Sequence, residues 1–353
     1  MKIFIVHEDI YNAGNPYIYT LVEGIKKIAP EVEFGYGRDN FWSDELFSYD
    51  IVHFHWPQAF MSGDAHSCDE LEIRLKNLHS KGIKVVATCH DLIPHYNQCA
   101  SFGNSLITVY RNADVIFHLG EYSKALFEVQ YPHVVHYLIP HHIYDTEYTN
   151  IPTREEACRR LNLNPLKKYI LCFGTFRAEE ERDIVCVVAR KFRNYEILAP
   201  GFMDIEQRRR FSFLPNKTER KALVYRHWYH IHMTGRTWNS VPDNLLPFYY
   251  VASDLCLIQR KKILNSGNAI LPMLFDKVVV GPDTGNVGPL LKSMGYPVFT
   301  PEDDSSIIEA VRNGLGLQIS GIAAKKHKEF MGKYSTATIS KSLLEKFREI
   351  IGK

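Results

Sequence analysis

The strongest constraint on this chain is an alternation. Short apolar runs recur, each closed by small or polar residues and separated from the next by a stretch with helical spacing. Met1–Val6, Ile51–His55, Lys84–Thr88, Val115–Leu119 and Val134–Ile139 read as strands in the first half. Tyr169–Phe173, Tyr195–Ala199, Leu255–Ile258 and Val278–Val280 read as strands in the second, and Val32–Gly37 and Val224–Met233 carry weaker signals. Runs this short, without polar alternation, suit parallel strands buried on both faces. Between them, Pro16 can open a helix reaching Ala29, and residues 69–81 place Leu71, Leu75 and Leu78 on one face. Ile184–Lys191 and Asp304–Leu315 are further helices, as is a segment through Leu245, Leu246, Tyr249 and Tyr250 that Asp243 can cap. The pattern predicts an α/β fold of doubly wound parallel sheets, with ligands at the carboxyl ends of the strands.

A chain of 353 residues suits two domains with real cores. They are expected at 1–150 and 151–335, with Asp145–Lys167 as the connection around a short helix at 153–161. The seven cysteines (68, 89, 99, 158, 172, 186, 256) form no CxxC pair, which argues for a reducing compartment and against a disulfide scaffold or a structural zinc. With no signal-peptide pattern or long apolar span, a cytoplasmic location is expected, and no nucleic-acid partner. The net charge of +2 hides an asymmetry: residues 1–150 hold 10 Lys+Arg against 19 Asp+Glu, and residues 151–353 hold 32 against 21. Either the second half binds an anion or the surface charge is simply uneven. Arg208-Arg209-Arg210 reads first as a solvated face, with contact to an anionic membrane or acceptor as the lesser reading.

Strand ends in the first half carry His7, His55, His90 and His141. His53 and His55 share a face, but they, like His141-His142, lack an acidic partner at ligand spacing, so no metal is expected. In the second half Gly174-Thr175-Phe176-Arg177 follows a strand; the glycine permits close backbone approach and the arginine can fork onto phosphate oxygens. Asn265-Ser266-Gly267-Asn268 reads as a turn opening an apolar helix to Phe275. The unpaired N–H groups and dipole there would favour an anion, and an ordinary capped helix is the alternative.

These landmarks together resemble the nucleotide-sugar-dependent glycosyltransferases of the GT-B fold, in particular family 4 of the retaining group. The resemblance spans nearly the whole chain as an ordered series of short matches. They are Asn15-Pro16-Tyr17, Tyr49–Pro57, Thr88–His95, Ile139-Pro140-His141, Gly174–Arg177, the helix within Val241–Asp254, and Asn265-Ser266-Gly267. The chain departs from the pattern in places. The family's phosphate-contacting lysine falls at Glu180, with Arg182 close by, and its paired glutamates fall near Ile263 and Leu271. Its Gly-Lys-Pro is Asp276-Lys277-Val278. A divergent subgroup lacking the paired glutamates is therefore expected.

The resemblance implies two Rossmann-like domains facing a cleft, the second holding a nucleoside diphosphate sugar and the first the acceptor, with helix 336–353 docked back on the first. It implies a retaining transfer to a hydroxyl of a growing polysaccharide or lipid-linked oligosaccharide, without a metal or other cofactor. A site at the inner face of the membrane, with peripheral contact, would suit such an acceptor. Donor contacts are expected from Arg177, Arg182, Arg236, Asn265, Ser266, Gly267 and Asn268, with base selection around Arg236–Val241. His90 is expected to face the transferred sugar, with Asp91 orienting it or touching the acceptor. Asn12, Gly14, Asn15, His55 and His141 are expected along the acceptor loops. A silent sugar-binding subunit and a nucleotide-sugar epimerase on the same fold are the alternatives.

Overall fold

The computed structural model describes residues 1–12, 14–62, 64, 66–92, 100–202, 231–232 and 241–352; at 100–103, 231–232 and 323–324 only the backbone is described. The chain divides into two compact units. Met1–Glu147 with Gly332–Lys353 forms the first, and Tyr148–Met331 the second.

In the first unit β1 (Lys2–Val6), β2 (Glu33–Gly35), β3 (Ile51–Phe54), β4 (Lys84–Cys89), β5 (Val115–His118) and β6 (Val135–Leu138) pair in parallel in the order β2-β1-β3-β4-β5-β6. Strands β3 and β5 are buried from end to end, as their largely apolar character favours. Helix Cys68–Ser80 starts with a reciprocal cap between Ser67 and Glu70, which satisfies two otherwise orphaned N–H groups. The last helix, Thr336–Ile350, packs on Tyr17–Ile28. Gly24 makes that approach possible, since a side chain there would overlap the Ser340 hydroxyl. Asp145 Oδ1 accepts from the Thr336 N–H (2.8 Å) and hydroxyl (2.6 Å), fixing where the helix begins.

The second unit holds β7 (Tyr169–Cys172), β8 (Glu196–Leu198), β9 (Ile231–His232), β10 (Leu255–Leu257), β11 (Val279–Pro282) and β12 (Val298–Phe299). All are parallel, in the order β12-β11-β10-β7-β8-β9. Residues 148–167, expected as connecting chain, belong to this unit. Helix Arg154–Leu161 packs on Leu246–Ala252, and Arg154 forks onto Asp254 at 3.2 and 3.3 Å. A second expectation fails after Asn268. No α-helix runs to Phe275; two 3₁₀ segments, Gly267–Ala269 and Leu271–Phe275, stand there instead. Pro272 cannot donate to a helical ladder, and Asp276 closes the segment in the left-handed region.

Each sheet has one place where the direction of chain winding reverses: between β1 and β3 in the first, between β7 and β10 in the second. Loops diverge at such a point and leave a crevice at the strand carboxyl ends.

Candidate functional site

At the reversal in the second unit, β7 runs into Gly174, whose φ of +117° suits only glycine. A side chain there would press on Asn268 Nδ2 at 3.3 Å, so the backbone is open only because the residue is glycine. Asn268 ties the neighbouring turn to this strand end. Its Nδ2 donates to the Phe173 carbonyl (2.9 Å), and its Oδ1 accepts from the Tyr250 hydroxyl (3.0 Å). The turn is braced from behind, with Asn286 N–H bonded to Leu264 O and Asn286 Nδ2 to Asn265 Oδ1, both at 2.8 Å. Gly285, at φ +54°, permits that contact, since a side chain would overlap the Ile263 carbonyl.

Arg177 is exposed on the same loop, and its backbone N–H donates to Glu181 Oε2 (2.7 Å). The other carboxylate oxygen of Glu181 accepts from Arg260 Nη1 (2.7 Å), while Arg260 Nη2 donates to the Thr175 carbonyl (2.6 Å). Arg260 stands three residues past the end of β10, on the far side of the reversal.

At the reversal in the first unit the groups are aromatic and neutral. His90 Nε2 lies 3.1 Å from His55 Nδ1, and its ring stacks on Trp56 with centroids 4.3 Å apart. Tyr17 stands edge-on to His90 at 4.9 Å and packs against His141 and His142. His141 Nδ1 donates to the His142 carbonyl (2.6 Å), which leaves Nε2 to accept from the Tyr144 hydroxyl at 3.2 Å. His142 bonds Thr20 Oγ1 (2.7 Å) and His53 bonds Thr88 Oγ1 (2.8 Å). Burial holds all five imidazoles well below their ordinary range, His53 at about 3 and His141 at about 4. Asp91 is buried, and its Oδ2 accepts from Gln58 Nε2 (3.3 Å).

No family model matches the sequence, and no curated protein does. Solved structures do match over full length. Sucrose-phosphate synthase from Thermosynechococcus elongatus superposes with a TM-score of 0.72 at 14% identity, covering 100% of this chain and 99% of that one. HepE of Anabaena, solved with UDP, gives 0.68 at 12% over 99% and 100%. A protein from Listeria monocytogenes assigned as a UDP-N-acetylglucosamine 2-epimerase gives 0.58 at 12% over 98% and 95%.

The fold is GT-B.

Within the GT-B frame, the expected residues divide. Gly174 and Arg177 lie on the loop after β7, and Asn268 ties the turn Asn265-Ser266-Gly267-Asn268 to that strand end. Arg182 does not join them. It is 6% exposed, and its guanidinium donates to the Phe202 carbonyl (2.9 Å) and lies against Phe176 and Phe202. It therefore packs the helix Glu179–Lys191, because its helical position turns it inward. The expected anion seat is also altered: Ser266 Oγ takes the Asn268 N–H (3.2 Å), and no helix follows to supply a dipole. Arg236 and Arg208–Arg210 lie outside the described residues.

His55, His90 and His141 meet around Tyr17 in the first unit. Asn15 adjoins them: its Oδ1 accepts from the Tyr17 N–H (3.0 Å) and lies 3.4 Å from the Tyr144 hydroxyl that bonds His141. Asn12 bonds Asp9 in an exposed loop (2.6 Å), and Gly14 is open, with φ +65°. Tyr17 and Trp56 stood within the landmarks Asn15-Pro16-Tyr17 and Tyr49–Pro57 without a role, and Arg260 was not singled out. A basic residue just past an inner strand was the available signal for Arg260.

Proposed function

We propose that this protein is a glycosyltransferase, a divergent relative of family 4, that moves a sugar from a nucleoside diphosphate sugar to a hydroxyl acceptor. The observation that carries the reading is the Gly174 loop. It is a backbone that only glycine can form, opening at the winding reversal of a GT-B unit, with exposed Arg177 three residues on. Arginine and open backbone there would stabilise the departing diphosphate, where negative charge grows during transfer. HepE, which shares the fold, has been solved with UDP and with UDP-glucose, so a uridine nucleotide is the first donor to try.

The acceptor, in this reading a polysaccharide or glycolipid hydroxyl, belongs to the histidine and aromatic edge of the first unit. Trp56, half-buried, can offer a ring to a sugar, while Tyr17 is buried and packs the histidines into place. His90, held neutral by burial, can hydrogen-bond a hydroxyl without acting as a strong base. Retention of configuration and independence from metal are parts of the same proposal, as is work at the inner membrane face. Among the described residues no helix is long and apolar enough to cross a membrane.

Incubation with a panel of nucleoside diphosphate sugars, read by mass spectrometry, tests the reading. Release of nucleoside diphosphate and free sugar without acceptor is expected. The likeness to the Listeria protein motivates an epimerase reading, which predicts an isomeric nucleotide sugar. Binding without turnover would point to a silent subunit.

A further inference from the structure

Glu181 and Arg260 form a buried ion pair that no landmark of the sequence singles out, and it sits where it controls the Gly174 loop. Glu181 is 6% exposed and Arg260 9%. The two carboxylate oxygens hold different partners. Oε1 receives Arg260 Nη1, and Oε2 receives the Arg177 N–H, both at 2.7 Å. Arg260 in turn holds the Thr175 carbonyl through Nη2 at 2.6 Å. The pair therefore clamps the loop at its second and fourth residues, from the neighbouring strand on one side and the following helix on the other. Arg260 Nη2 lies 3.8 Å from where a side chain on Gly174 would begin. An exposed side chain on a loop binds well only if its backbone is already set, because ordering it on binding subtracts from affinity.

We propose that Glu181 and Arg260 are positioning residues that fix the backbone of Thr175–Arg177, so that Arg177 meets a nucleoside diphosphate without reorganisation. The proposal rests on the donor-binding reading of the second unit. A pair with a purely structural role would affect stability alone; replacing both partners of a buried ion pair with apolar residues is often neutral or stabilising, whereas removing one is costly.

Amide hydrogen exchange of the nucleotide-free protein, combined with calorimetric titration of UDP, tests this. The variants are Glu181→Gln, Arg260→Met, Arg260→Lys and the double variant Glu181→Leu/Arg260→Met. In Glu181→Gln and Arg260→Met the Arg177 amide should exchange about tenfold or more faster while amides in β7 and β10 keep their protection, and UDP affinity should fall about tenfold. The double variant should regain melting temperature but not UDP affinity, and Arg260→Lys should retain more affinity than Arg260→Met. Exchange at Arg177 within about twofold of wild type in both Glu181→Gln and Arg260→Met would overturn the proposal. So would UDP affinity that returns together with stability in the double variant. A wild-type protein that binds no UDP would sink the donor reading; the exchange measurement would still decide whether the pair holds the loop.

Discussion

The two units solve one architectural problem and then differ at the place where a ligand would sit. Among the described residues, both are six-stranded parallel sheets with a single reversal of winding. At the first reversal the groups are His55, His90, His141 and Tyr17, all uncharged, with their rings packed together. At the second they are arginine, carboxylate and glycine: Arg177, Arg260, Glu181 and Gly174. One edge is suited to neutral hydroxyls and ring faces, the other to a polyanion. The lesson is that the fold locates a site, while the side chains at the strand ends choose its chemistry.

Acid should separate the units most sharply. His53, His55, His90, His118, His141 and His142 all have folded pKa values below the unfolded value near 6.5, chiefly through burial. The unfolded chain therefore binds more protons as the pH drops. Their stabilisation is complete above about pH 6.5 and is lost as the pH falls, through about 3 to 4 for His53, His118 and His141. The first unit should lose its hydrogen-exchange protection between about pH 6 and 4, ahead of the second, where His327 is the described histidine lowered by burial. Simultaneous unfolding, or loss of the second unit first, would break the contrast.

Next in size is Arg177→Ala. It should weaken UDP binding by about 2 kcal/mol or more, roughly 30-fold, with little change in melting temperature because the side chain is exposed. Calorimetry at wild-type affinity would remove Arg177 from the site.

His90→Ala should do the reverse. Turnover should drop about tenfold or more, with UDP affinity within about twofold, and some stability should go with the lost stacking on Trp56. A matched loss of nucleotide affinity would deny that the two edges serve different substrates.

The smallest effect expected is from chelation. Both turnover and UDP affinity should be unchanged in EDTA, since the charge at the Gly174 loop is supplied by arginine. Restoration of a lost activity by added Mg²⁺ or Mn²⁺ would refute metal independence.

Much of the architecture was readable because it rests on local rules. The runs Ile51–His55, Lys84–Thr88 and Val115–Leu119 are apolar enough to be buried strands, and the spacing of Leu71, Leu75 and Leu78 marks a helix by periodicity alone. Glycine at 174 and arginine at 177 were recognisable for the same reason, as was a histidine after each of several strands.

What the sequence could not express was direction and partnership. Arg182 looked like a second diphosphate contact, but its helical phase buries it against Phe176 and Phe202. The turn at 265–268 looked like the start of a helix to Phe275, and Pro272 together with the left-handed Asp276 makes it two short 3₁₀ pieces. Glu181 and Arg260 stand 79 positions apart, and only the pairing of β10 with β7 brings them to one loop. By itself the sequence determined where most of the strands and helices form, because periodicity and capping are local free-energy preferences. The tertiary structure decided which charges face each other, because strand order joins residues that no spacing along the chain relates.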